Sequence, residues 1–198
     1  MPVIETKEEL LRNLNCTKHN FVLGTFGIVH LMNDMLNKKK IPNLAIMPEH
    51  QIGINDFGWD AYIKQNEYLL NLDKEFINRF TDAFHSIERN YVKETYESIK
   101  AYCLNEINGE NQIIPFENRP WYRMATVFRN SLSHDWVLAF GKYDKEHIKK
   151  HGSIELYGVN ICLKDEGKSL YELSWDRGHT MLLCDDMNAF AKKLKEVK

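Results

Sequence analysis

The stretch Leu69-Leu70-Asn71-Leu72-Asp73-Lys74-Glu75-Phe76-Ile77-Asn78-Arg79-Phe80-Thr81-Asp82-Ala83-Phe84-His85-Ser86-Ile87-Glu88-Arg89-Asn90-Tyr91 carries the clearest pattern in the chain. Its apolar residues Leu69, Leu72, Phe76, Phe80, Ala83/Phe84, Ile87 and Tyr91 advance in steps of three and four, which gathers them on one face of an α-helix. A long core helix is predicted, running on through Ile99 and Tyr102 to about Ile107, where Asn108-Gly109 offers a left-handed stop. The fold class expected from this pattern is mainly α.

Upstream, Thr6-Lys7-Glu8-Glu9 is a capping-box pattern, so a short helix should start near residue 7. A second helix is expected from about Thr17 to Lys39, with Phe21, Val22, Phe26, Val29, Leu31, Met32, Met35 and Leu36 at helical spacing and Lys38 to Lys40 at its C-terminus. Gly24 and Gly27 either weaken that helix or let a neighbour come close. Residues 41–58, with Pro42, Pro48, Gly53 and Gly58, read as a long loop.

Downstream of a polar loop, Pro120 suits the first position of another helix, which would turn Trp121, Met124, Ala125, Val127, Phe128 and Leu132 towards the core. Beyond Gly141 the texture changes. Ile154 to Tyr157 and Val159 to Leu163 alternate apolar with polar, Asp165-Glu166-Gly167-Lys168 turns the chain, and Ser169 to Trp175 resembles a returning strand. A last helix is expected from about Thr180 to Lys195, burying Met181, Leu182, Met187, Phe190 and Leu194. The expected organisation is one domain over residues 1–198: a helical bundle at about 6–140 and a β-hairpin with a terminal helix appended at about 152–197.

Composition narrows the function. With 43% hydrophobic and 27% charged residues, the 198-residue chain has the balance of a globular domain and is long enough to bury a core without staples. Lys+Arg 26 against Asp+Glu 28 gives a net charge of -2, which lacks the basic excess of a general nucleic-acid coat, so any nucleic-acid contact has to be local. Two basic clusters exist, Lys38-Lys39-Lys40 and the run Lys142, Lys145, Lys149, Lys150 with His147 and His151; both read as solvated faces or helix ends rather than phosphate tracks. Cys16, Cys103, Cys162 and Cys184 are scattered with no zinc-finger spacing, so no metal or other cofactor is expected and the thiols should be free and mostly buried. Neither a signal core nor a membrane span is visible, which makes the cytoplasm the expected compartment. G-x-S-x-G, Walker and H-E-x-x-H motifs are lacking, which sets aside the hydrolases that depend on them.

The chemistry concentrates in Phe128-Arg129-Asn130-Ser131-Leu132-Ser133-His134, followed by Asp135. On an ideal helix Asn130 and His134 share a face, whereas Arg129 and His134, five apart, are separated by roughly 140° of rotation. For both to reach one substrate, the helix must loosen near the motif, the arginine stem must bend round, or a second copy of the motif must face the first.

Arginine, a polar residue, three variable positions and histidine resemble the signature of the HEPN superfamily of helical domains, most convincingly over residues 59–140. The resemblance implies a homodimer with two copies of Arg129, Asn130 and His134 in one cleft. It also implies metal-independent endoribonuclease cleavage, in which a ribose 2′-hydroxyl attacks the adjacent phosphate. An imidazole can serve as base or acid near neutral pH, which suits His134, and the planar fork of Arg129 suits the charge on a phosphorane-like intermediate. Asn130 would orient the phosphate or the imidazole, with Ser133, Asp135 and His85 as supporting residues. The second glutamate-and-lysine signature of some members is not found, since no Glu between Glu88 and Lys100 has Lys four residues on.

Two functional expectations follow. One is an RNA-cutting toxin or phage-defence effector, with an antitoxin or defence-system partner. The other is a non-catalytic HEPN-like module that binds a partner protein or a nucleotide. Competing structural readings attach to each residue: Arg129 as a surface helix residue, His134 as a helix-end donor, Asp135 as its salt-bridge partner, and His85 as a satisfied interior or boundary histidine. His147 and His151 sit four apart but are expected to face solvent, and Trp121 and Trp136 can pack or stack bases.

Overall fold

The computed structural model describes residues 4–38, 75–105, 111–132 and 136–196. Helix α1 spans Lys7–Lys38, α2 Phe76–Leu104, α3 Ile113–Glu117, α4 Tyr122–Leu132, α5 Lys142–His151 and α6 Arg177–Ala191, while β1 (Ile154–Leu156) and β2 (Val159–Ile161) form a two-stranded antiparallel sheet. The protein is mainly helical with a small C-terminal hairpin and a terminal helix, as its periodicities indicate. Residues 22–87 form one compact unit, and residues 1–21 with 88–198 form another. Among the described residues no helix is long and apolar enough to cross a membrane.

The start of α1 follows the capping signal. The Thr6 hydroxyl accepts from the Glu9 amide at 3.1 Å, and the Glu9 carboxylate reaches back to the Glu5 amide at 3.1 Å. The two helices expected before residue 40 are a single one. Asn15-Cys16-Thr17 are modest helix formers but contain no breaker, and Leu10, Leu14 and Phe21 keep one buried stripe running across them.

In the 22–87 unit, Met35 packs with Phe76 and Phe80, and Ile28, Leu31 and Met32 lean on that cluster. Phe26, Val29 and Leu36, expected on the same buried face, are exposed, Phe26 at 71%. Gly24 is a close-approach position, since a Cβ there would lie 2.8 Å from the Ile87 Cδ1 atom, whereas a Cβ on Gly27 would meet nothing within 4 Å. The long loop at 41–58, Leu69, Leu72 and the Asn108-Gly109 stop lie outside the described residues.

In the other unit, α2 buries Tyr91, Val92, Tyr96, Ile99, Tyr102 and Cys103, and it ends at Leu104 rather than near Ile107. The segment expected to be only a polar loop contains α3, because Phe116 is fully buried among Tyr96, Trp121, Tyr122 and Phe190, with ring centroids 5.3 to 5.9 Å apart. Such aromatic edges and faces add to the area they bury, so five residues stay helical through packing rather than propensity.

The C-terminal segment is built into this same core. β1 packs against α4 and α5, and Trp175 lies 4.0 Å from the Phe128 ring of α4. The hairpin turns at Tyr157 and Gly158, whose φ values of 51° and 81° belong to the mirror-image turn that suits twisted strands. Ser169 to Trp175 is not a returning strand. Ser169 accepts from the Tyr171 amide and starts a 3-10 turn at Leu170–Leu173, leaving one isolated bridge between Val137 and Ser169. Helix α6 begins three residues earlier than expected because Asp176 caps it, accepting from the His179 amide at 3.0 Å. Its buried face is Thr180, Leu183, Cys184, Met187, Phe190 and Ala191, while Met181 and Leu182, expected inside, are exposed. The cysteines are free thiols, but only Cys103 and Cys184 are buried, and burial pushes Cys103 up to about 12.

Candidate functional site

Helix α4 owes its position to a broad apolar face. Met124, Ala125, Val127, Phe128, Ser131 and Leu132 are all buried, which leaves Arg129 and Asn130 half-buried in its last turn. The helix therefore works as a rigid stem that carries its charged end to a surface.

That surface is an open cleft of about 260 Å³ lined by Ile4, Lys93, Glu94, Glu97, Ser98, Ala101 and Arg129. Lys93, Glu97 and Ala101 lie one helical turn apart along α2, with Glu94 and Ser98 beside them. The Arg129 Nε donates to a Glu97 Oε1 oxygen at 2.6 Å, and its Nη1 reaches the Asn130 Oδ1 at a long 3.4 Å. The Glu97 side chain is 14% exposed and that of Arg129 is 42% exposed. Glu97 and Asn130 thus each accept from one N–H of a guanidinium that has five, and Arg129 lines the cleft. Lys93 and Arg129 against Glu94 and Glu97 balance the formal charge of the lining.

Ser131, in the last turn of α4, is tied to the chain at Trp136 and Ala139. Ser131 is fully buried; its hydroxyl donates to the Val127 carbonyl at 2.8 Å and accepts from the Ala139 amide at 3.4 Å, and its carbonyl accepts from the Trp136 amide at 3.2 Å. His134, Ser133 and Asp135 lie outside the described residues. Of the expected site, the structure brings together Arg129 and Asn130. His85 belongs to the 22–87 unit, is half-buried and does not line the cleft.

Trp121 and Trp136, the candidates for base stacking, are each only 5% exposed. Trp121 packs edge-on against Phe116 and Phe190, and Trp136 lies 5.4 Å from the Tyr171 ring. Both are packing residues. On α5 the rings of His147 and His151 sit 4.4 Å apart, and desolvation, then His151, lowers the pKa of His147. Among the described residues no three potential ligands gather for a metal ion.

Two residues escaped sequence reasoning. Glu97 has no lysine four residues on; its partner is Arg129, thirty-two positions away, and Lys93 stands one turn before it rather than after. Glu88 is buried at the head of the second unit, where burial raises its pKa against the lowering effect of the Thr180 hydroxyl and Arg177. Its place on the buried stripe, in register with Phe84 and Tyr91, was the available signal.

Compared with known proteins, the chain matches no family model, no curated protein and no solved structure.

Proposed function

We propose that this chain is a metal-independent endoribonuclease of the HEPN type, cutting RNA by attack of a 2′-hydroxyl on the adjacent phosphate. The observation that carries the reading is the guanidinium of Arg129, held by Glu97 and Asn130 at the lining of a cleft with its side chain 42% exposed. In the reaction His134 removes the 2′-hydroxyl proton or protonates the departing 5′-oxygen, the second proton transfer falling to the other copy of the motif or to water. Arg129 stabilises the charge on the phosphorane oxygens, and Asn130 steers it. The new bond joins the 2′-oxygen to phosphorus and the broken one frees the 5′-oxygen, leaving a 2′,3′-cyclic phosphate and a 5′-hydroxyl. The spacing of Arg129 and His134 and the resemblance to the HEPN superfamily imply a homodimer, and the reading fits a cytoplasmic toxin or defence effector with an antitoxin or defence-system partner to restrain it.

The test is incubation with RNA in EDTA of wild type, Arg129→Ala and His134→Ala. Cutting by wild type alone supports the assignment; equal cutting or equal inactivity in all three ends it. Light scattering that gives a monomer mass at working concentration removes the dimeric cleft.

One observation favours a second reading, a non-catalytic module for a partner protein or nucleotide. The cleft pairs two cations with two carboxylates, which gives it little net pull on a polyanion. Thermal shifts across nucleotides and a pull-down examine it, and flat shifts with no specific partner count against it.

A further inference from the structure

Glu88 sits 0% exposed on α2, and the hydroxyls of Tyr171 and Thr180 both donate to its carboxylate. One carboxylate oxygen accepts from the Thr180 hydroxyl at 2.5 Å, and Trp175 donates to that hydroxyl at 3.0 Å. The other oxygen accepts from the Tyr171 hydroxyl at 3.3 Å and faces the Arg177 Nε at 3.7 Å. A carboxylate is kept in such a place only if its contacts fix something.

What it fixes is legible from Tyr171 onwards. The Tyr171 ring lies 5.4 Å from that of Trp136, and the Leu170 amide donates to the Trp136 carbonyl at 3.0 Å. Trp136 is bonded through its own amide to Ser131 and has a φ of 65°, a left-handed conformation that a bulky side chain adopts only when its surroundings impose it. In sequence Trp136 is the second residue after His134. The Glu88–Tyr171–Trp136 chain therefore ends on the Ser131 carbonyl in the last turn of α4.

We propose that Glu88 is a positioning residue for the last turn of α4, which carries Arg129 and Asn130, acting through the Tyr171 hydroxyl and ring to hold Trp136, and with it the Ser131 carbonyl, in place. Its catalytic consequence rests on the ribonuclease reading above, whereas the tether itself does not. Tyr171→Phe removes one hydroxyl, Glu88→Leu removes the acceptor, and Glu88→Gln keeps a polar group facing both hydroxyls.

Hydrogen exchange read by mass spectrometry tests the tether independently of activity. In Tyr171→Phe, and in Glu88→Leu if it folds, amides of the peptide 131–139 should exchange about tenfold faster, while α2 peptides within 92–104 keep wild-type rates; Glu88→Gln should resemble wild type. On cleavable RNA, Tyr171→Phe should lower kcat about tenfold with KM unchanged. Unaltered exchange at 131–139 in Tyr171→Phe, or equal acceleration throughout α2, overturns the proposal, the latter because it marks Tyr171 as general scaffold. If wild type does not cut RNA, the ribonuclease reading falls while exchange still decides the tether. If exchange responds but kcat does not, the tether stands without a part in catalysis and the positioning role is overturned.

Discussion

Helix α2 carries two glutamates, nine residues apart, that each face an arginine in different surroundings. Glu97 meets Arg129 at 2.6 Å on the wall of an open cleft, with the arginine side chain 42% exposed. Glu88 meets Arg177 at 3.7 Å from a side chain only 1% exposed, and takes its closer contacts from Thr180 and Tyr171. An exposed ion pair contributes little to stability because water screens it and two side chains lose freedom in forming it. A buried carboxylate is different, since removing it deprives desolvated donors of an acceptor. The contrast separates chemistry from architecture: Glu97 presents an arginine to the outside, and Glu88 binds segments of the core together.

The largest expected effect falls on the exposed pair. Arg129→Ala should lower the rate of RNA cutting at least about a hundredfold, the scale of losing one charged stabiliser of a transition state, while leaving the melting temperature near wild type. A large drop in melting temperature together with lost activity would instead make Arg129 architectural and erase the contrast.

Next in size is the buried partner. Glu88→Ala should cost about 2–4 kcal/mol in urea unfolding at neutral pH, through a cavity and the loss of the hydrogen bonds that Thr180 and Tyr171 donate to the carboxylate. A cost below about 1 kcal/mol would show that the cluster holds nothing.

How legible these pairs were depends on distance along the chain. Helix identity was readable wherever a periodic stripe ran long, as from Phe76 to Tyr102, and so was the apolar face of α4. Local capping was readable too, in Thr6 and Glu9. What failed depended on packing from afar: α3 exists because Phe116 finds four aromatic neighbours, and Ser169 to Trp175 coils because Leu170 and Trp175 must both turn inward. The buried face of α6 was misread at Met181 and Leu182, because an apolar run offers two overlapping stripes and only tertiary contact chooses between them. Arg129 and Asn130 stood out through their local pattern, whereas Glu97 and Glu88 acquire meaning only from partners thirty-two or more positions away.

A pH titration sharpens the comparison further. Because burial raises the Glu88 pKa above its ordinary 4.5, the folded state takes up the proton more readily than the unfolded one. The stability that its protonation adds is fully present below about pH 4.5 and is lost as pH rises through the raised folded value, while the packing of the side chain stays. Arg177, Asp176, Tyr171 and Thr180 face it, and Asp144 is shifted in the same direction by its own burial, so the difference between proteins is the useful quantity. Relative to wild type, Glu88→Gln should gain stability as pH rises from about 4.5 through the raised folded value, and no further above it. A constant difference across that range would contradict the assignment.

The smallest effect is expected at Glu97. Glu97→Ala should change the unfolding free energy by less than about 1 kcal/mol, as suits a half-exposed pair, and yet slow RNA cutting by freeing the guanidinium from its set direction.

The most direct examination of the central claim is end-group analysis of RNA incubated with the wild-type protein in EDTA, alongside a substrate carrying a 2′-deoxy sugar at the cleaved position. The ribose substrate should give 2′,3′-cyclic phosphate and 5′-hydroxyl ends, the deoxy one none, and Arg129→Ala or His134→Ala none on either. Intact RNA, ends of another kind, or cutting that survives the 2′-deoxy substitution would contradict the claim.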